Sequence, residues 1–377
     1  MQQKDGTSFL RGFFIFLNVG ALVVLLLSCM ATYINPNVFW QLSFIGFAFP
    51  VVLLVNVFFL VLWIFKRSRF VFISLAAIML SWKFIYSSFT IHPASKEEGV
   101  KVMTWNVKNF DLYNWSHNQA TRSQMMNLIE KEDPDVLCMQ EFYTNNQSFK
   151  NLETLRDSLG FGYCYFYPSV NTSKLPKTQL QKTLWTSGTL NQQWGVATFS
   201  KYPIVDSGRL DFKNSFANDC IYTDVEVNGK AVRVYNVHFQ SIQLGQQDYA
   251  AIDSVEQKSK VKWTDVKAVV KKMKTAYAKR ALQAEAVGAH AGNYSGNKII
   301  CGDFNDVPVS YTYETVRQEL QDAFVAKGNG FGATFVNKLS IFRIDYVLPS
   351  KDIKVNSYRT VRENYSDHYP VCVTLTL

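Results

Sequence analysis

Cys301-Gly302-Asp303-Phe304-Asn305-Asp306-Val307-Pro308 is the stretch that decides the fold. Ahead of it, residues 298–301 form a short apolar run that predicts a strand, and Pro308 stops any continuation. Gly302 permits a tight backbone path where the strand ends. Asp303 and Asn305 are two positions apart, so an extended chain would point both to one side. One supplies an anionic acceptor and the other an amide that both donates and accepts. Such a pair at a strand end suits a phosphate and an attacking water. Gly-Asp-x-Asn is also ordinary turn chemistry, so its meaning depends on what accompanies it.

Working outward, residues 100–107 alternate as a strand ending in Trp105-Asn106. Residues 119–132 read as a helix, and 135–140 as a strand ending in Gln140-Glu141, where a carboxylate can hold a hard cation. A helix near 147–159 and an aromatic strand at 162–167 precede a polar loop at 169–192. Strands follow at 194–200, 205–210, 221–227 and 232–238, the last two joined by the hairpin signal Asn228-Gly229. Tyr235-Asn236-Val237-His238 ends this series. Residues 260–290 read as a helix, and strands recur at 299–301, 342–348 and 369–376. Asp345 is a lone acid inside an apolar strand and therefore needs a partner. Ser366-Asp367-His368-Tyr369-Pro370 opens the final strand.

Taken in order, Trp105-Asn106, Gln140-Glu141, Asn236-Val237-His238, Gly302-Asp303-Phe304-Asn305, Ile344-Asp345-Tyr346 and Ser366-Asp367-His368-Tyr369-Pro370 resemble the endonuclease/exonuclease/phosphatase superfamily, which includes deoxyribonuclease I and neutral sphingomyelinases. Gly195-Val196-Ala197 and Ser200-Lys201-Tyr202-Pro203-Ile204 resemble its middle strand. The resemblance implies an α/β fold: a four-layer sandwich of two mostly antiparallel sheets flanked by helices. It further implies metal-dependent phosphoester hydrolysis with Mg²⁺, or Mn²⁺ in its place. Carried over by motif, Glu141 is the principal metal ligand, with Asn106 and Asp367 near the ion. Asp303 and Asn305 orient or activate water and hold the phosphate. His238 and His368 contact phosphoryl oxygens, and Asp345 buttresses His368. Asp303 and a histidine both remain candidates for the general base. Lys108 stands soon after the first asparagine, where apurinic endonucleases carry an acid. Ile344-Asp345-Tyr346 replaces the Cys-Asp-Arg of inositol 5-phosphatases, and the Ser-Asp-His-Tyr-Pro ending resembles sphingomyelinase-like members.

The amino-terminal third is different in kind. Residues 12–34, 41–65 and 70–90 are apolar runs near the length of about 20 residues that crosses a bilayer, and only Lys83 charges them. Leu26-Leu27-Ser28-Cys29 is similar to a lipoprotein cleavage box, but two further apolar runs follow it. The expected organisation is a membrane anchor over 1–92 with three transmembrane helices, a linker at 93–99 and a catalytic domain over 100–377. Lys4, Arg11 and Lys66-Arg67-Ser68-Arg69 flank one side of the spans, while the connection 35–40 carries no charge. Positive residues stay inside, which places the catalytic domain outside the plasma (inner) membrane.

Of the formal charge of +9, residues 1–95 hold +5 and the remainder +4. Half of the basic excess is therefore topogenic and says nothing about nucleic acid. Outside the cell a tethered phosphoesterase meets lipid headgroups more readily than nucleic acid. A surface nuclease and a catalytically silent ligand-binding member are the alternatives. Six scattered cysteines give no disulfide framework, while a single bridge outside the cell stays open. Residues 258–280 carry eight lysines and Arg280 against Asp265 alone. This run is either a solvated helix face, with Val266, Val269, Val270 and Met273 inward, or a patch for anionic headgroups.

Overall fold

The structure, a computed structural model, describes residues 2–93, 98–174, 191–212, 218–243, 263–336 and 341–377. The chain forms two compact units. One comprises Met1–Ser88, Ile242–Ala281 and Val307–Thr315; the other comprises Phe89–Ser241, Leu282–Asp306 and Val316–Leu377.

Among the described residues, the second unit has eleven strands: β1 Val100–Asn106, β2 Val136–Thr144, β3 Tyr163–Asn171, β4 Gln193–Ser200, β5 Ile204–Leu210, β6 Asp219–Val227, β7 Lys230–His238, β8 Lys298–Asp303, β9 Asp345–Pro349, β10 Lys354–Thr360 and β11 Val371–Thr376. One sheet runs β10-β11-β1-β2-β4-β3 and the other β5-β6-β7-β8-β9. Each contains one parallel pair, β1 with β2 and β7 with β8; every other neighbour is antiparallel.

Alternation builds the layers. Val100, Val102, Val136 and Cys138 pack with Val225, Val234, Ile299, Cys301 and Val347 of the other sheet. The intervening residues Met103, Trp105, Leu137 and Met139 turn the opposite way, onto Met125, Leu128 and Ile129 of the helix Thr121–Glu132. Burying one such side chain contributes about 1.5–3 kcal/mol. On the far side of the second sheet, Ala284, Val287 and Ala291 of residues 282–292 are buried, and Tyr235 Oη lies 3.0 Å from His290 Nδ1. The expected sandwich of two mostly antiparallel sheets between helices is what forms. None of the six cysteines, all of them among the described residues, is in a disulfide.

Several elements differ from expectation. The helix near 147–159 reduces to Asn151–Glu153 and a wide turn at Thr154–Ser158. Strand β10 and the helices Tyr311–Arg317 and Ala323–Lys327 had no counterpart in the sequence reading. Residues 175–190 of the expected polar loop 169–192 lie outside the described residues, as do 258–262 of the basic run.

In the first unit, Phe9–Met30 is long and apolar enough to cross a membrane. Gln41–Phe47 with Phe49–Phe65, and Val71–Leu80 with Trp82–Ser88, pass that test only as pairs bent by 62° and 63°, giving up to three spans. Each break has a cause. Pro50, in the first turn of Phe49–Phe65, lacks the N–H that would continue the preceding helix. Ser81 Oγ donates to the carbonyls of Ala77 (2.9 Å) and Ile78 (3.1 Å), a bond that bends helices. Polar side chains join the helices: Asn18 Nδ2 donates to Ser74 Oγ at 2.8 Å, and Trp63 Nε1 to Asn18 Oδ1 at 2.9 Å.

The unit has two chemically distinct ends. Arg11 and Arg69 both lie over the Phe70 ring, at 5.3 and 5.8 Å. At the other end Lys83 Nζ reaches Tyr33 Oη (3.2 Å) and Glu314 (2.6 Å), while Asn37 Nδ2 donates to the carbonyl of Ala278 at 3.1 Å. Lys83, the one charge in the three apolar runs, is thus held in an ion pair.

Candidate active site

Parallel neighbours end at the same edge of a sheet, so β1 and β2 bring Asn106 beside Gln140, and β7 and β8 bring His238 beside Asp303. Two amides tie these edges together. Gln140 Nε2 donates to Asn236 Oδ1 at 2.7 Å, and Asn236 Nδ2 donates to the carbonyls of Ala197 (2.9 Å) and Met139 (3.2 Å). Both residues are fully buried. A buried amide bonded across two sheets fixes their relative register. The sequence motifs contained Gln140 and Asn236, but nothing in them revealed this role.

The centre is Asp303, fully buried at the end of β8. Its Oδ2 accepts from Asn106 Nδ2 and Asn305 Nδ2, both at 3.0 Å, and its Oδ1 accepts from the Asn305 backbone N–H at 2.8 Å. Asn305 has φ 53°. Asp303 and Asn305 therefore share a side because the chain turns between them, not because it is extended. Gly302 is required by geometry: its φ is 130°, and a Cβ there would stand 2.1 Å from the Val237 carbonyl oxygen of the adjacent strand.

Around Asp303 stand two histidines. His368 Nε2 and His238 Nε2 each lie 3.8 Å from Asp303 Oδ2, and His238 Nε2 is 3.7 Å from Glu141 Oε1. His368 Nδ1–H donates to Asp345, 2.9 Å to Oδ2 and 3.2 Å to Oδ1. Asp345 opens β9, so the buried acid has the partner it needed. Trp105 Nε1 fixes the His368 carbonyl at 2.9 Å, and Ser366 Oγ bonds the Asn106 carbonyl at 2.8 Å. Thr334 Oγ1 accepts from the Asp345 N–H at 3.1 Å. Neither Thr334 nor Ser366 was assigned a role from sequence.

Glu141 does not end β2 as expected; the strand runs on to Thr144. Instead the register shifts between Met139 and Phe142, and Glu141 adopts φ 48°. This bulge swings a carboxylate out of an apolar strand toward Asn106, whose Nδ2 donates to Glu141 Oε1 at 3.3 Å. A left-handed glutamate costs of order 1–3 kcal/mol. Asp367 lies beside Lys108, with Nζ 2.8 Å away, so Lys108 belongs to the site as well.

Electrostatics sort the acids. Burial pushes Asp303 up to about 6; His368 opposes that shift and the charge of Asp345 adds to it. Burial would lower His368, but Asp345, Asp303 and Asp367 outweigh it and hold the imidazole well above its ordinary value. Glu141 is raised by burial and then by the negative charge of Asp367. Asp367 is raised by burial, yet His368 and Lys108 bring it below the ordinary range.

Two groups of side chains could hold a cation. Ligand atoms of Asp303, Asp345 and His368 all lie within 4.8 Å of one another, but His368 Nδ1 is already bonded to Asp345, and Asp303 already accepts three N–H bonds. Glu141 and Asp367 are the better fit. Their carboxylates are 34% and 35% exposed, and each repels the other's charge. With the Asn106 amide beside Glu141, they form the oxygen set that a hard divalent cation takes.

If His368 acts as its cation, Asp345→Asn should hurt in a pH-dependent way. Removing the carboxylate lowers the His368 pKa, so the imidazolium is lost sooner as pH rises. The defect should be small at the acid end and approach the roughly 10²-fold worth of an acid–base group at the alkaline end. A kcat profile across pH, with circular dichroism unchanged, is the check.

A family model described as the Endonuclease/Exonuclease/phosphatase family matches residues 103–368, which contain every residue of the site. A second model, described as a domain of unknown function, matches residues 11–88. Sphingomyelinase C of Bacillus cereus is 23% identical over 326 residues, covering 74% of this chain and 89% of that protein. Phospholipase C of Staphylococcus aureus is 33% identical over 113 residues, covering 28% of this chain; the match spans 32% of that relative's length. A solved endonuclease/exonuclease/phosphatase from Beutenbergia cavernae DSM 12333 shares the fold, with TM-score 0.53 at 18% identity over 74% of this chain and 71% of that one. With 103–368 matched and the two-sheet sandwich formed, the chain belongs to the endonuclease/exonuclease/phosphatase family.

Proposed function

We propose that this protein is a membrane-anchored, divalent-metal-dependent phosphoesterase that cleaves a phosphodiester of a lipid headgroup. The observation that carries this reading is the convergence of Asn106, Glu141, His238, Asp303, Asn305, Asp345 and His368 at one end of both sheets, each with its partner in reach. An intact set argues against a silent, ligand-binding member. The names of two relatives, phospholipase C and sphingomyelinase C, support a lipid substrate.

In this reading Glu141, Asp367 and Asn106 hold the ion. A bound Mg²⁺ supplies charge neutralisation at the phosphate. Asp303 and Asn305 orient the attacking water, and Asp303 or a histidine takes its proton. His238 and His368 bind the phosphoryl oxygens, with Asp345 fixing the His368 tautomer.

The anchor is the first unit, and its two ends support the orientation. Arg11 and Arg69 gather at the end that we assign to the cytoplasm. Residues 263–281 and 307–315 meet the helices at the opposite end, beside Asn37 and Lys83. A carboxy-terminal alkaline phosphatase fusion should therefore be active, and a fluorescent protein that folds only in the cytoplasm should be dark. The reverse pattern would reject this topology.

The substrate reading is tested with the purified full chain in detergent and Mg²⁺, offered sphingomyelin, phosphoinositides, bis-p-nitrophenyl phosphate and plasmid DNA. Preferential release of a phosphorylated headgroup supports the lipid reading. Preferential nicking of DNA would replace it with a surface nuclease.

A further inference from the structure

We propose that the helical segment 263–281 is an interfacial element that seats on a bilayer surface rich in anionic phospholipid. The inference rests on the reading of the first unit as a membrane anchor, and extends it to a segment far away in sequence.

The geometry of one helix face carries it. Trp263, Lys267, Lys271 and Lys274 fall within an arc of roughly 80° at 3.6 residues per turn. All four are exposed, Trp263 by 74%. At its carboxy-terminal end the same face touches the turn between the first two apolar stretches. Lys274 Nζ lies 5.3 Å over the Trp40 ring, the Ala278 carbonyl accepts from Asn37 Nδ2, and Tyr277 packs edge-on to Phe44 at 5.4 Å. The turn that it meets is itself built for a headgroup layer, with Val38 81%, Phe39 46% and Tyr33 60% exposed. Trp82 and Tyr86, stacked at 6.4 Å, belong to the helix of Lys83, which binds Tyr33 at this end. Aromatic rings of this kind settle at the level of lipid headgroups.

Asp265, the lone acid in 258–280, sits about 180° from Lys274, on a side that also carries Lys272 and Lys279. Val266, Val269, Val270 and Met273 are half-buried, and so flank the basic stripe with an apolar side. One tryptophan, three lysines and an adjoining apolar side are what an interfacial helix presents to lipid phosphates.

The test uses the full chain in nanodiscs whose phosphatidylcholine is brominated in its acyl chains, with or without phosphatidylglycerol. The fluorescence difference between wild type and Trp263→Phe isolates the signal of Trp263. We expect that signal to be quenched when phosphatidylglycerol is present and to recover at high salt. Each lysine near an anionic surface is worth about fivefold in occupancy, so the triple variant Lys267→Gln, Lys271→Gln, Lys274→Gln should lose on the order of a hundredfold and abolish the lipid dependence. Turnover of soluble bis-p-nitrophenyl phosphate by this variant should be unchanged. Quenching that ignores phosphatidylglycerol, or survives in the triple variant, would overturn the proposal. Quenching relieved only by added DNA would also overturn it, assigning the lysines to a nucleic acid. Carbonate washing of cell membranes scores the anchor separately: release of the chain would reject the anchor, whereas retention with lipid-blind quenching would reject only the stripe.

Discussion

Replacing Asp303 by Asn should cut turnover by roughly 10²–10⁴-fold with little change in KM. That is the usual worth of a group that accepts a proton in the transition state, and an attacking water is no part of ground-state substrate binding. The hydrogen bonds add a second, smaller effect. Asp303 Oδ2 accepts from two side-chain amides, and its Oδ1 from a backbone N–H. An introduced amide must turn its own NH₂ toward one of these donors, leaving a buried donor unpaired at a cost of about 1–3 kcal/mol. Thermal unfolding measured beside kcat separates the two effects. A modest loss of stability with a collapse in kcat supports a chemical role. Near-normal kcat would reduce Gly302–Asn305 to a structural turn.

The second large effect is expected at Glu141→Gln. The substitution keeps the shape of the side chain and its bond from Asn106, but removes the charge that repels Asp367 and attracts a cation. Metal affinity should fall by more than the 10–100-fold typical of changes one shell further out. Activity should therefore vanish at low Mg²⁺ and partly return at high Mg²⁺. Direct Mn²⁺ titration by electron paramagnetic resonance checks the affinity without relying on turnover. The fold itself should be no less stable, because the mutual repulsion of Glu141 and Asp367 is relieved. Identical Mn²⁺ binding by the variant and the wild type would remove Glu141 from the metal site.

Much of this site was legible because strand ends announce themselves. Asn106, His238 and Asp303 each sit where an apolar run stops, His368 sits just before the last one begins, and Asn228-Gly229 forms its hairpin with φ of 52° and 76°. The placement of Glu141 was not legible. A bulge without glycine leaves no mark in Gln140-Glu141-Phe142, and its left-handed backbone is imposed by the pairing of β2 with β4. Strand β10 escaped because Lys354, Asn356, Ser357, Arg359 and Thr360 make it polar; as an edge strand it pairs only with β11. Lys108 stood out in sequence only as a departure from a motif, whereas in the fold it neutralises Asp367. The contacts of residues 263–281 and 307–315 with the apolar helices are long-range, and no local pattern encodes them.

The central claim is that the acids and histidines gathered at the ends of the two parallel strand pairs hydrolyse a phosphoester with the help of a divalent cation. Phosphorus NMR of the purified full chain in mixed micelles of sphingomyelin and Mg²⁺ tests it most directly. The account predicts that the phosphodiester resonance gives way to a phosphomonoester, and that the conversion stops with EDTA and with Asp303→Asn. A phosphodiester that stays intact under every condition, or that is cleaved equally by Asp303→Asn, would contradict it.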